Sequence, residues 1–335
     1  SMRSLSGLLQ ALGQNEEAEN LLRRALKGQR ETLGSRDAAT LASMSDLAEL
    51  LRKSGKLQEA EALHKEALAG RSETLGESDP AVLQSSNLLG QQLRSAGKYD
   101  EAEPLFRRSL DGAEKALGPA HPDTLAAAGN LASLLQAKGN LQDAEPLLRR
   151  VVSGQEAQLG PRHTDTLNSM RSLSGLLQAL GQNEEAENLL RRALKGQRET
   201  LGSRDAATLA SMSDLAELLR KSGKLQEAEA LHKEALAGRS ETLGESDPAV
   251  LQSSNLLGQQ LRSAGKYDEA EPLFRRSLDG AEKALGPAHP DTLAAAGNLA
   301  SLLQAKGNLQ DAEPLLRRVV SGQEAQLGPR HTDTL

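Results

Sequence analysis

HPDTLAAAGNLASLLQAKGNLQDAEPLLRRVVSGQEAQLGPR, residues 121–162, holds two helical patterns separated and closed by glycine. His121-Pro122-Asp123-Thr124-Leu125 reads as a helix start, because proline is favoured at the first helical position; the equivalent Asp247-Pro248 places a good capping residue before it. Leu125, Ala128, Leu131, Ala132 and Leu135 then recur at three- and four-residue spacing and mark one apolar face. Gly139 predicts the stop, since glycine enters the left-handed cap conformation without a Cβ penalty. A second helix is expected over about 141–158, with Ala144, Leu147, Leu148, Val151 and Val152 as its buried stripe and Leu159-Gly160 as its end. On its outer face Glu145 precedes Arg149 by four residues, a pairing that supports an exposed helix by a few tenths of a kcal/mol. The stretch is an α-hairpin.

The pattern recurs every 42 residues. Complete units run 37–78, 79–120, 121–162, 163–204, 205–246, 247–288 and 289–330, with partial units at 1–36 and 331–335. Gly181, Gly223 and Gly265 repeat the first stop; Leu201-Gly202, Leu243-Gly244 and Leu285-Gly286 repeat the second. Glu187–Arg191, Glu229–Lys233 and Glu271–Arg275 repeat the outer pair. Units 121–162 and 163–204 agree at 21 of 42 positions, so they are related but distinct. At four times that period the identity is complete: residues 1–167 return letter for letter as 169–335, and Asn168 alone lacks a copy. A folded catalyst has no need of such copying, whereas a modular array tolerates it because each unit contacts only its neighbours.

Composition agrees with an elongated helical array. The chain has 335 residues, 38% of them hydrophobic, and its only aromatic side chains are Tyr99, Tyr267, Phe106 and Phe274. Its core must therefore be leucine and alanine, which suits closely packed helices better than sheets. The net charge of −6 is spread evenly and leaves no electrostatic footprint for nucleic acid, nor are there aromatics to stack bases. There is no cysteine, which excludes thiolate chemistry. No apolar run approaches the ~20 residues of a membrane span. With no secretion signal legible at Ser1 either, the expectation is a cytoplasmic protein that engages no membrane.

The unit resembles the tetratricopeptide repeat. With Gly139 as the glycine of the helix turn, Leu131 and Ala132 fall where that motif has its Leu-Gly/Ala pair, and Ala144 and Leu148 fall on its small and large second-helix positions. The length of 42, the Leu159-Gly160 ending and the following His163-Thr164-Asp165-Thr166-Leu167 resemble the longer variant of kinesin light chains and of the sensor arrays in NLR-like signalling ATPases. The resemblance covers essentially the whole chain and implies an all-α fold, a right-handed α-solenoid of helix-turn-helix repeats. It departs in three places: the first helix has no Trp or Tyr, no Pro closes the unit, and His232 stands where an apolar residue is usual.

Candidates for chemistry resolve into structural roles. Of the six histidines, His121, His163, His289 and His331 sit at helix starts, where capping is the expectation, and His64 and His232 are expected to emerge at a helix edge. Metal binding needs three or four converging ligands, which their spacing does not supply. The sequence contains no Gly-rich phosphate loop, nucleophile elbow or paired-carboxylate constellation, so no catalytic residue, no metal and no cofactor is expected. Arg149-Arg150, Arg191-Arg192 and Arg275-Arg276 are interleaved with glutamate and read as a solvated outer face.

The resemblance implies instead that first-helix residues flanking the apolar stripe line a concave groove and bind extended or helical peptides. Carried across by alignment, these positions hold Arg3, Gln10, Asp46, Glu49, Arg52, Asn87, Gln91, Arg94, Asn130, Ser133 and Gln136 in the first copy. In the second they hold Arg171, Gln178, Asp214, Glu217, Arg220, Asn255, Gln259, Arg262, Asn298, Ser301 and Gln304, with Ser172 and Lys221 beside them. Amides bond a peptide backbone without reading its sequence, whereas fixed charges select side chains. The preference of kinesin relatives for acidic peptides does not transfer, because Asp214 and Glu217 sit in mid-groove.

A second expectation concerns self-association. His331-Thr332-Asp333-Thr334-Leu335 is the beginning of a helix that Ser1 would continue, so copies are expected to stack head to tail. Two readings follow: a non-enzymatic scaffold for a protein or peptide ligand, and a structural array, engineered or recently duplicated, whose activity is assembly with other copies of itself.

Overall fold

The computed structural model describes residues 2–327, the side chains of Arg3, Gln326 and Leu327 excepted. Among the described residues there are sixteen helices and no strand. The chain divides into two compact units, Ser1–Pro161 and Arg162–Leu335. The first unit contains α1 (Met2–Ala11), α2 (Asn15–Thr32), α3 (Ala38–Lys53), α4 (Leu57–Leu75), α5 (Pro80–Ser95), α6 (Tyr99–Leu117), α7 (Pro122–Ala137) and α8 (Leu141–Leu159). The second contains α9 (Thr164–Ala179), α10 (Asn183–Thr200), α11 (Ala206–Lys221), α12 (Leu225–Leu243), α13 (Pro248–Ser263), α14 (Tyr267–Leu285), α15 (Pro290–Ala305) and α16 (Leu309–Leu327). Each unit is an all-α solenoid: odd and even helices form hairpins, and within a unit each even helix packs on the odd helix that follows it.

Local chemistry sets the boundaries. Asp37 and Asp79 each accept a bond of 2.8 Å from the amide two residues on, satisfying an orphan donor at the starts of α3 and α5. His121, His163 and His289 do the same through Nδ1 at 3.2 Å, so three of the four helix-start histidines are caps; His331 lies outside the described residues. Each first helix is stopped by a glycine such as Gly139 (φ 80°), and each second helix from α2 to α14 by one such as Gly160 (φ 89°), a region that a Cβ disfavours.

The two helices of each hairpin after α1–α2 approach through a glycine. Leu125 of α7 lies over Gly154 of α8, where an added Cβ would sit 2.6 Å from Leu125 Cδ1; Leu83 meets Gly112 in the same way. The leucine–alanine core forms around these contacts, with Leu125, Ala128, Leu131, Ala132, Leu135, Ala144, Leu148, Val151 and Val152 buried as the periodicity predicts and Leu147 half-buried. Phe106 and Phe274, both fully buried, lie against Gly90 and Gly258.

His64 and His232 depart from expectation. They do not emerge at a helix edge but are 1% and 2% exposed. The reason is spacing: His64 lies four residues after Ala60 and three before Ala67, both fully buried, so it points inward with them. Its Nε2 and that of His232 have no hydrogen-bond partner among the described residues. Burial pushes both imidazoles down to about 4, so each is carried as a neutral, polar core side chain.

The outer face is solvated and also ties repeats together. Glu61 accepts from Lys65 on its own helix at 2.6 Å and from Lys98 of the next repeat at 2.9 Å. Glu229 repeats this with Lys233 and Lys266. In each case the bond from the lysine on its own helix and then that from the next repeat hold the carboxyl below the usual range. Arg149 pairs with Glu145 and Arg275 with Glu271, while Arg150 reaches Glu114 of the preceding repeat.

Candidate functional site

The first helices of adjacent repeats touch one another, α3 with α5 and α5 with α7 in the first unit and α13 with α15 in the second. Within each unit the side chains of neighbouring first helices therefore lie side by side, and several of the aligned candidates meet there. Asn130 Nδ2 donates to Asn87 Oδ1 at 2.9 Å, and Asn298 repeats the bond to Asn255 at 2.9 Å. Arg94 donates to Ser133 on the neighbouring first helix, and Arg171 forms an ion pair with Asp214 in the second unit. Along one helix, Arg52 grips Glu49 with two bonds of 2.9 and 2.6 Å, and Arg220 grips Glu217 at 2.9 and 2.7 Å. The guanidinium bond holds each of these carboxyls below the ordinary range against the opposing effect of burial. Lys221 adds a longer contact of 3.5 Å to Glu217, whereas Ser172 turns its hydroxyl back to the Asn168 carbonyl.

Gln10, Asp46, Gln91, Gln136, Gln178, Gln259 and Arg262 are half-buried in the same rows, and Ser301 and Gln304 are exposed on α15. Arg3 falls on α1, and its side chain lies outside the described residues. The row thus combines amides and hydroxyls with carboxylates already matched to guanidinium groups. Amides and hydroxyls of this kind are groups that can exchange hydrogen bonds with a polypeptide backbone.

Alignment of first helices alone misses a contribution from beneath. Arg71, on the second helix α4, rises between two first helices and donates to Ser45 Oγ at 3.0 Å and Ser85 Oγ at 2.5 Å. Arg239 does the same to Ser213 at 2.9 Å and Ser253 at 2.5 Å. The signal was present in the repeats: directly after the invariant Gly28, Gly70, Gly112 and Gly154, the position carrying Arg71 is Gln29, Ala113 and Gln155 in the other units.

Among the described residues no group of His, Cys, Asp or Glu side chains is placed to hold a metal ion. None of the described helices is long and apolar enough to cross a membrane.

The tetratricopeptide repeat family model matches residues 1–73, 79–157, 123–199, 165–241, 205–283 and 249–325. No curated protein sequence matches the chain. Among solved structures, a kinesin-light-chain-like protein of Podospora anserina with nearly identical TPR-like repeats is 31% identical, over 62% of this chain and 98% of that one, with a TM-score of 0.56. BtubC (BKLC) from P. vanneervenii is 22% identical over 70% of this chain and 94% of its own, with a TM-score of 0.60. The signal-transduction ATPase with a tetratricopeptide repeat sensor from Pyrococcus horikoshii is 13% identical, over 97% of this chain but 47% of its own, with a TM-score of 0.71. The last two share the fold. With the family model spanning almost all of the repeats, the chain belongs to the tetratricopeptide repeat family.

Proposed function

We propose that the chain is a non-enzymatic scaffold that binds a protein or peptide along the groove lined by its first helices. Tetratricopeptide arrays generally serve protein interaction. The observation that carries the reading here is the paired polar row, Asn87–Asn130 and Arg94–Ser133 in one unit and Asn255–Asn298 and Arg171–Asp214 in the other. Groups that already hold one another are oriented before a ligand arrives, so less side-chain freedom is lost on binding. The amides suit a peptide backbone, and Asp214 and Glu217, each held by an arginine, offer oriented charge pairs to a ligand's side chains.

Peptides selected from a random display library on the intact chain test this. Swapping Asp214→Lys and Glu217→Lys together is expected to weaken their binding about tenfold or more, which is 1.4 kcal/mol. Swapping Arg107→Glu and Arg275→Glu on the outer face is expected to leave it unchanged. The opposite pattern would place binding elsewhere.

A second reading, head-to-tail association of whole chains, is favoured by unequal burial of identical side chains. Met2 and Leu5 on α1 are 44% and 47% exposed, whereas their copies Met170 and Leu173 are 1% and 3% exposed. At the other side of the array, Val320 on α16 is 43% exposed and its copy Val152 only 6%. These apolar faces suit one another in a heterologous contact between copies. Light scattering over a concentration series decides it: molar mass should grow with concentration and fall to one chain with Leu5→Glu and Val320→Glu. A constant single-chain mass refutes it.

A further inference from the structure

Each 168-residue copy contains one place where the floor of the groove is missing. The second-helix position that rises between two first helices is Gln29, Arg71, Ala113 and Gln155 in the first copy, and Gln197, Arg239, Ala281 and Gln323 in the second. Where it is long, it fills the slot: Arg71 reaches Ser45 and Ser85, and Gln197 is fully buried. Where it is alanine, the side chain ends at Cβ. A cavity of about 460 Å³ remains between α5, α6 and α7, and one of about 480 Å³ between α13, α14 and α15.

The walls are mainly apolar, formed in the first copy by Leu83, Ala113, Ala116 and Ala127, with Gln84 and Ser109 adding polar atoms. Asn87, the amide already paired with Asn130, and Asp123 stand at the lining's polar edge. The Asp123 side chain is 79% exposed and its copy in the second cavity, Asp291, is 78% exposed. Both cavities are of the size that encloses small ligands and large side chains.

We propose that these two cavities are anchor pockets, each receiving one large apolar side chain of an extended peptide, with a basic residue beside it facing Asp123 or Asp291. The apolar walls supply burial, the carboxylate selects the neighbouring charge, and Asn87 or Asn255 meets the peptide backbone. The inference deepens the groove reading and rests on it. It sets a stoichiometry: two equivalent sites per chain.

The test uses random peptides selected by display on the intact chain. Enriched sequences are expected to carry a large apolar residue next to Lys or Arg and to bind two per chain. Installing the side chain of the following repeat, Ala113→Gln with Ala281→Gln, fills both slots and should weaken binding at least about 10-fold, the lower end of what a single methylene is worth in an apolar pocket. A selected peptide with photo-leucine at the anchor should label the unaltered chain within α5, α6 or α7 and their copies, a readout that does not depend on the variant folding. If binding withstands the filled slots but is lost with Asp214→Lys and Glu217→Lys, the pockets are refuted and the groove stands. Peptides that withstand both changes, or a selection that enriches nothing, overturn both.

Discussion

Gly196 and Gly28 occupy the same place in identical sequence, on α10 and α2, yet alanine should act on them in opposite directions. A Cβ at Gly196 would lie 2.6 Å from Leu167 Cδ2 and 3.1 Å from its Cδ1. Ordinary carbon contacts are about 3.5–4.0 Å, so the leucine must retreat by about 1 Å. Leu167 is 1% exposed and has nowhere to go. Overpacking of this kind costs about 1–3 kcal/mol, and replacing a mid-helix glycine by alanine returns about 0.8–1.0 kcal/mol. The net for Gly196→Ala is a destabilisation of about 1 kcal/mol, as high as ~2 if the core cannot adjust. At Gly28 an added Cβ meets no heavy atom within 4 Å. Gly28→Ala should therefore show the helix gain alone, about 1 kcal/mol of stabilisation. Urea unfolding followed by far-UV circular dichroism on the two single variants reads the difference. Because the flanking sequence is the same, helix propensity cancels between them and the packing contribution is isolated. Shifts of equal size and sign would refute the argument that the glycine is required by the leucine it faces.

Three further outcomes are expected. His64 and His232 bind a proton near 6.5 when unfolded and only near 4 when folded, so between those values the unfolded state holds more protons and stability falls as pH falls. The loss approaches about 3 kcal/mol per histidine by pH 4; His64→Leu with His232→Leu should flatten the unfolding midpoint between pH 6.5 and 5, and an unchanged slope would contradict the burial. His121→Asp should raise stability by up to about 1 kcal/mol, because Asp37 and Asp79 cap at 2.8 Å where His121 caps at 3.2 Å; thermal unfolding checks the sign. Phe106→Ala should cost about 3–5 kcal/mol, since the ring is fully buried and seated on Gly90, and a loss below ~1 kcal/mol in chemical denaturation would mean the site collapses around the gap.

What could be read from the sequence was local or periodic. The helix starts at His121 and His163 and the stops at Gly139 and Gly160 follow from one unit's own residues, and the apolar stripe from Leu125 to Leu135 declares which face is buried. Alignment to the repeat also put Asn87 and Asn130 on neighbouring first helices in one unit, and Arg171 and Asp214 on neighbouring first helices in the other. It did not show that they bond one another, because those contacts join residues 43 apart across a crossing whose geometry no single unit encodes. His64 was misread because polarity suggests a surface position, whereas its spacing from Ala60 and Ala67 makes it inward, and a neutral imidazole tolerates that. The pockets were invisible for a different reason. Ala113 is an unremarkable helix residue by itself and becomes informative only beside Arg71, which bonds across the corresponding slot, and Gln197, which is buried in it.

The central claim, that ligands are taken along the first-helix face, is tested most directly by photo-crosslinking from the protein. Benzoylphenylalanine is placed at Gln136, half-buried in the candidate row on α7, or at Arg107, 52% exposed on the outer face of α6, and each protein is irradiated with a display-selected peptide. Binding in the groove predicts that the peptide is captured from position 136 and not from position 107. Capture from position 107 alone would contradict it and move the interaction to the outer face.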